Sequence, residues 1–352
     1  MITRPLDVGI LGATGMVGQN FLRLLDRHPF FRPVWLAASE RSEGRLYGEA
    51  ATWRLGGDLP DAAKNKRVEA CSPEQGPRLI FSALDARAAD ELEPAFAAAG
   101  HIVVSNARSF RMQDDVPLLI PEVNADHLAL LGVQRRTRGW RGGIVTNPNC
   151  SVVALAMALA PLRRFGIRTV VTTTMQAVSG AGYPGVPSFD IIGNVIPGIG
   201  GGEEEKIETE TNKILGTLTG EIVTPHPALV SAHTNRVPVL DGHTMTVSVA
   251  MEAAPAVDEV IRAMREWRGR PQELRLPGAP ERPLEVLEEG FRPQPRLDAD
   301  RGAGMTVSVG RVRRCAVLGT KFVALGHNTV RGAAGAAILN AELMEAEGWL
   351  ED

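Results

Sequence analysis

Near its N-terminus the chain reads Asp7-Val8-Gly9-Ile10-Leu11, then Gly12-Ala13-Thr14-Gly15-Met16-Val17-Gly18, then Gln19-Asn20-Phe21-Leu22-Arg23-Leu24-Leu25. The first stretch is short and apolar, as a buried strand requires. The last carries Val17, Phe21, Leu24 and Leu25 at helical spacing. A strand, a glycine-rich turn and a helix in that order are the context of a dinucleotide site. Glycine lets the backbone approach a pyrophosphate, and the helix N-terminus stabilises its charge. The spacing here is G-x-x-G-x-x-G rather than the commoner G-x-G-x-x-G.

The pattern continues. Val34-Trp35-Leu36-Ala37-Ala38 reads as the second strand, and an NAD site usually ends this strand with an acid for the ribose hydroxyls. Ser39-Glu40-Arg41-Ser42 stands there instead. Two hydroxyls and an arginine suit a 2′-phosphate, which favours NADP, whereas Glu40 turned inward would suit ribose. Leu79–Leu84 reads as a strand, Ala86–Ala99 as a helix stopped by Gly100, and His101–Asn106 as a strand. Strands alternating with helices imply a parallel doubly wound sheet with ligands at the C-terminal strand ends. Ser82, Ser105 and Asn106 fall at such ends. Arg111 follows just beyond and could reach an anionic substrate, although a solvated loop arginine is the commoner case.

Thr146-Asn147-Pro148-Asn149-Cys150-Ser151 is a turn that opens an apolar, alanine-rich helix expected to end near Gly166. Cys150 therefore lies where a loop becomes a helix. There the macrodipole and free backbone N–H groups are expected to lower its pKa toward the thiolate. A lone cysteine more often packs as a small hydrophobe. Thr169–Val178 is β-branched and reads as a strand. The long irregular segment from Ser179 to Gly202 is of a length that is usually functional.

A helix then begins at Glu203-Glu204-Glu205-Lys206. Acids in a first turn are favoured by the macrodipole, but Lys206 is not. Glu203 and Lys206, three apart, share a face and could present a carboxylate and an ammonium to a zwitterionic substrate. His243 follows the turn-like Asp241-Gly242, read as a hairpin turn, and opens a strand with no apolar reason to be there. It is a candidate proton carrier, with His226, His233 and His327 as competitors. Gly310–Leu325 reads as further strand, and the small-residue run Asn328–Leu339 as a helix returning to the first domain. The proline-rich 271–295 segment reads as a surface excursion between strands.

Composition narrows the function classes. A 352-residue chain of formal net charge −3, 44% hydrophobic, suits about two globular domains and gives no reason to expect nucleic acid or a membrane as partner. Cys71, Cys150 and Cys315 are far apart and odd in number. They suggest neither disulfides nor a metal site, and so a reducing cytoplasm.

Taken in order, these motifs resemble the aspartate-β-semialdehyde dehydrogenase family along the whole chain, its archaeal and fungal branch more than the enterobacterial one. The resemblance implies a Rossmann-type α/β dinucleotide-binding domain over residues 1–149, completed by a C-terminal helix at 328–352. It implies an α+β catalytic and dimerisation domain with a mixed sheet over 150–327. It further implies Cys150 as acyl-forming nucleophile, His243 as acid/base and Gln176 as orienting the covalent intermediate. Arg236 would hold the substrate α-carboxylate. A glutamate of the acidic run, assigned to Glu203, would hold the amino group, with Glu204 and Glu205 as alternatives. Arg111, Asn149 and Lys206 would bind phosphate. Gly12, Thr14, Gly15, Met16, Val17, Ser39, Arg41, Ser42, Ser82, Gly180 and Asn328 would contact NADP. The implied reaction is NADPH-dependent conversion of aspartyl phosphate to aspartate semialdehyde through a thioester, with no metal, in a homodimer or homotetramer. The alternative on this fold is reduction of another activated acyl group, such as malonyl-CoA. Such an enzyme would not need an amine-binding glutamate.

Overall fold

The computed structural model describes residues 5–351. Six strands form a first sheet: β1 (Leu6–Leu11), β2 (Phe31–Ala37), β3 (Val68–Glu69), β4 (Leu79–Ser82), β5 (Ile102–Ser105) and β6 (Gly143–Thr146). Their order is β3-β2-β1-β4-β5-β6, and every pair is parallel. This is the doubly wound arrangement, whose crossover reverses between β1 and β4 and opens a crevice beyond the strands' C-terminal ends. The β1 turn needs its glycines. Gly12 has φ 72°, and a Cβ there would lie 2.7 Å from the Ala83 carbonyl oxygen. A Cβ on Gly18 would lie 2.4 Å from the Gly12 carbonyl oxygen, so the helix Met16–Leu24 can sit down on the turn only without one.

The second sheet is mixed, as expected. It is built from β7 (Ile167–Gln176), β8 (Ile196–Pro197), β11 (Leu229–Arg236), β12 (His243–Met251), β13 (Leu284–Leu287), β14 (Val307–Cys315) and β15 (Gly319–Gly326), in the order β13-β14-β15-β12-β7-β11-β8. A separate hairpin pairs β9 (Thr217–Thr219) with β10 (Ile222–Thr224). The helix Cys150–Leu159 packs on this sheet. Nine of its ten residues are buried, and Val152, Leu155 and Met157 share a core with Met245, Val247, Val309 and Phe322. An all-round apolar helix is stable only when buried in this way.

Several local readings are corrected. Asp241-Gly242 is not a hairpin turn: β11 and β12 both pair with β7, which lies between them, so the dipeptide links strands that never touch. The β-branched strand runs from Ile167 to Gln176, two residues earlier than its sequence suggested at either end. The apolar helix gives way to a 3₁₀ turn, Ala160–Phe165, before Gly166 ends it. The proline-rich excursion contributes the edge strand β13. The late helix begins as a π-turn over Val330–Ala334 and continues as an α-helix over Gly335–Ala346. Its Ala337, Leu339 and Leu343 pack with Val8, Ile10, Phe21 and Phe81, so the chain's last helix belongs to the core beneath the first sheet.

Candidate active site

Cys150 is the first residue of its helix, and Asn149 caps it. The Asn149 Oδ1 accepts from the backbone N–H groups of Ser151 and Val152, at 2.9 and 3.3 Å. The Cys150 Sγ lies 3.2 Å from His243 Nε2, and His243 is fully buried at the head of β12. On the ring's other side the Ala177 N–H donates to Nδ1 at 3.1 Å. That bond leaves Nδ1 as an acceptor, so the neutral ring carries its proton on Nε2, facing sulfur. Burial, then the Arg236 guanidinium and His327, push the His243 pKa down to about 3. The imidazole is therefore neutral across the physiological range. Among its competitors, His233 is exposed, His226 contacts the Ile167 carbonyl oxygen, and His327 contacts Thr329 and Asp300.

The charged residues expected around Cys150 converge. Glu203, on the first turn of the helix Glu203–Ile214, is buried. Its Oε1 accepts from Asn149 Nδ2 at 2.8 Å and from Gln176 Nε2 at 3.1 Å, and its Oε2 pairs with Lys206 at 3.2 Å. Glu204 turns instead to the Thr234 N–H and hydroxyl, and Glu205 is exposed. Of the three acids, only Glu203 points into the cluster. Arg236, at the end of β11, donates to the Ala177 carbonyl oxygen at 2.8 Å. The two backbone groups of one residue, Ala177, thus fix both Arg236 and His243, a backbone role with no signature in sequence. Arg111 pairs with Glu210 at 3.0 Å and donates to the Asn106 carbonyl oxygen.

One electrostatic expectation is overturned. The Cys150 thiol is pushed up to about 12, first by burial and then by the Glu203 carboxylate. Arg111, Arg236 and the Ser151 N–H pull the other way and lose. The helix terminus acts as expected, but desolvation is the larger effect in a closed site. The contrast is Cys315. Backbone N–H groups of Leu318 and then Val317 hold its pKa below the usual thiol value. We expect iodoacetamide at pH 7.5 to label Cys315 of the free protein before Cys150. Loss of activity should steepen with each pH unit through pH 9 rather than levelling off, because only the minor thiolate reacts and its share grows with pH. Peptide mapping that found Cys150 labelled first, with a plateau below pH 8, would contradict this order.

The expected nucleotide residues line the crevice edge unevenly. Gly12, Thr14, Gly15, Met16 and Val17 form the β1 turn and helix start. Ser39 and Arg41 are exposed beyond β2, while Ser42 is buried, its N–H bonded to the Ser39 carbonyl oxygen. Ser82 is fully buried and faces the Glu93 carboxyl, so its hydroxyl does not open onto the crevice. Gly180 lies over the site. A Cβ there would stand 2.8 Å from Arg236 Nη1 and 3.1 Å from His243 Nε2. Asn328 accepts from the Gly242 N–H and donates to the Ser179 hydroxyl, tying three loops together.

Sequence reasoning missed Glu210 and the close approach of Gly332, where a Cβ would lie 2.6 Å from the Cys150 Cβ. Glu210 could have been found as the position seven residues, two helical turns, beyond Glu203 on the same face. Among the described residues, no group of histidine, cysteine and acidic side chains is arranged to hold a metal. No helix there is long and apolar enough to cross a membrane.

Comparison with known proteins places the chain in a family. The semialdehyde dehydrogenase NAD binding domain matches residues 7–131, and the semialdehyde dehydrogenase dimerisation domain matches residues 159–331. An aspartate-semialdehyde dehydrogenase from Archaeoglobus fulgidus is 51% identical over 97% of this chain and 98% of its own. One from Cryptococcus neoformans is 45% identical over the full length of both. The crystal structure of aspartate semialdehyde dehydrogenase with NADP from Candida albicans superimposes with a TM-score of 0.89. It is 41% identical and covers 98% of this chain and 99% of that one. Full-length identity to archaeal and fungal members, together with both matched domains, shows that the chain belongs to the aspartate-semialdehyde dehydrogenase family.

Proposed function

We propose that the protein reduces L-4-aspartyl phosphate to L-aspartate 4-semialdehyde with NADPH, releasing phosphate, in the biosynthesis of the aspartate-derived amino acids lysine, methionine and threonine. The observation that carries the reading is the Cys150–His243 contact at 3.2 Å inside a ring of opposite charges. The substrate carries an ammonium, a carboxylate and a phosphate. Glu203, Arg236, and Arg111 with Lys206 are their complements. The Cys150 sulfur attacks the acyl carbon as its thiolate, the bond to the phosphate oxygen breaks, the proton given up by the thiol leaves on the phosphate as hydrogenphosphate, and a thioester remains on the enzyme. His243, neutral and with its proton on Nε2, donates a hydrogen bond to the sulfur and then to the oxygen of the tetrahedral adduct. The proton stays on Nε2, because losing it would leave an imidazolate, and the ring acts as hydrogen-bond donor to the charge on that oxygen as the adduct forms and collapses. Gln176, tethered to Glu203, orients the acyl group. Arg236 binds the α-carboxylate and Glu203 the amino group, while Lys206 and Arg111 stabilise the leaving phosphate. Asn149, held by Glu203 at its side chain and by Glu210 at its backbone, is the least free of the three residues assigned to phosphate.

NADPH, when bound, supplies the hydride that reduces the thioester. The residues suit it. The Gly12 turn admits backbone approach, and the Arg41 loop stands beyond the neighbouring strand, where a 2′-phosphate would lie. Gly180 and Asn328 complete the cradle from the second sheet's loops. Arg41→Ala is expected to weaken NADP by about tenfold while leaving NAD within about twofold. Equal use of NADP and NAD by the unaltered protein would instead point to Glu40 facing the ribose. The test of the reaction is NADP reduction with aspartate semialdehyde and phosphate beside the same assay with CoA. Activity only with CoA would favour the malonyl-CoA type of reductase.

We infer that the protein works as a homo-oligomer in the cytoplasm, at least a dimer. The dimerisation-domain match supports it. So do the apolar side chains left open on that half, among them Phe189, Ile192 and Leu229, which are 100%, 74% and 73% exposed.

A further inference from the structure

Four residues on one face of the helix Glu203–Ile214 are spaced three to four apart: Glu203, Lys206, Glu210 and Lys213. The first two are accounted for above. Glu210 is 2% exposed, and each of its oxygens has one partner. Oε1 accepts from Arg111 Nη1 at 3.0 Å, and Oε2 accepts from the backbone N–H of Asn149 at 2.7 Å. Lys213 lies one turn further on. Its buried ammonium donates to the carbonyl oxygens of Arg111, Gln113 and Val116, at 2.7, 2.7 and 3.0 Å. The Arg111 side chain is thus held by one residue of this face and its backbone by the next. The Nε of Arg111 is buried and has no partner. The guanidinium lines a cleft of about 320 Å³ together with Arg108, Lys206 and Glu205. A buried guanidinium keeps its place and its charge only beside a counter-ion. Glu210 lines the cleft as well, and three basic side chains against two acidic ones leave it a net cationic lining, which suits an incoming anion.

We propose that Glu210 is a positioning residue for phosphate: it presents Arg111 to the anion and keys that arginine to the backbone of the residue preceding Cys150. The inference rests on the reaction proposed above and names the residue that orders its phosphate-handling step. Glu210 touches neither the sulfur nor the acyl group. Its influence therefore falls on phosphate attack at the thioester, in the direction that consumes semialdehyde, and not on forming that thioester.

The two half-reactions can be measured separately with the full-length protein. Semialdehyde and NADP without phosphate give a burst of NADPH as the thioester forms, and phosphate then releases the acyl group. Glu210→Gln keeps an acceptor for the Asn149 N–H but removes the charge opposite Arg111. It is expected to raise the KM for phosphate by about tenfold or more, with the burst rate within about twofold of wild type. Glu210→Asp, which keeps the charge but draws it back by one methylene, should give an intermediate KM and serves if the first variant is unstable. In an Arg111→Ala background the Glu210→Gln change should add nothing further to the phosphate KM. A slowed burst with an unchanged phosphate KM, or full additivity with Arg111→Ala, would overturn the proposal and reduce Glu210 to a support for the Cys150 helix. Wild-type turnover that ignores phosphate altogether would instead overturn the proposed reaction, before any variant is compared.

Discussion

Cys150→Ser is expected to lower turnover by about 10³-fold or more, because a serine hydroxyl at this position has no base to activate it. Among the described residues the one imidazole in contact with residue 150 already carries its proton on the nitrogen facing it, and Nδ1 is occupied by the Ala177 N–H. A hydroxyl, far less acidic than a thiol, would stay protonated there. The exchange is nearly isosteric, so the Asn149 cap and the helix behind it should persist, and NADP affinity should stay within about twofold. Steady-state rates and a fluorescence titration of the cofactor check the two halves separately. A serine variant retaining a tenth of wild-type turnover would remove the covalent step from the proposed reaction. Mass spectrometry of the wild type mixed with semialdehyde and NADP, without phosphate, should find the acyl group on the Cys150 peptide.

The second large effect concerns stability. Arg331 and Glu122 form a two-pronged ion pair, with Nη1 on Oε1 at 2.9 Å and Nη2 on Oε2 at 2.5 Å. Their side chains are 1% and 0% exposed. Removing one partner leaves the other charged and buried, and either Arg331→Met or Glu122→Gln is expected to cost about 3–5 kcal/mol. Replacing both by apolar residues of similar volume should recover most of that loss, since the pair as a whole offsets a large desolvation cost. Thermal and denaturant unfolding of the two single variants and the double variant supply the cycle. Single variants within about 1 kcal/mol of wild type would mean that water or relaxation reaches the pair. Arg331 also precedes Gly332, which packs on the Cys150 Cβ, so the single variants should lose activity at temperatures where they remain folded.

What the sequence revealed and what it hid divide along physical lines. The strand–turn–helix of residues 6–24 was legible because its determinants are local: apolar period, glycine at a positive φ, and close helix seating. The pairing of Glu203 with Lys206 was legible for the same reason, since a three-residue step on a helix is a contact. The choice among Glu203, Glu204 and Glu205 was not. It depends on the phase of that helix against Asn149 and Gln176, which is a matter of packing. Asp241-Gly242 carried a sound local signal for a tight turn, yet the strand order placed β7 between the strands it joins. The thiol was misjudged because helix-end fields can be read from sequence and burial cannot. Glu122 and Arg331 are 209 residues apart, and nothing near either one announces the other.

The return of the last helix to the first sheet has a consequence for how the molecule comes into being. The N-terminal sheet cannot complete its core until residues 337–343 have been made. Ala337, Leu339 and Leu343, which fill the space beside Val8 and Phe81, emerge after every strand of both sheets. The first half must wait, partly open, until the whole second half has been synthesised. Only then can the helix Gly335–Ala346 pack into the first sheet's core, with Gly332 laid on the Cys150 Cβ and the Arg331–Glu122 clasp closed. Contacts of such long sequence separation form slowly. Nascent or truncated chains therefore expose apolar surface that the finished protein hides, a demand for chaperone protection written into the order of the fold.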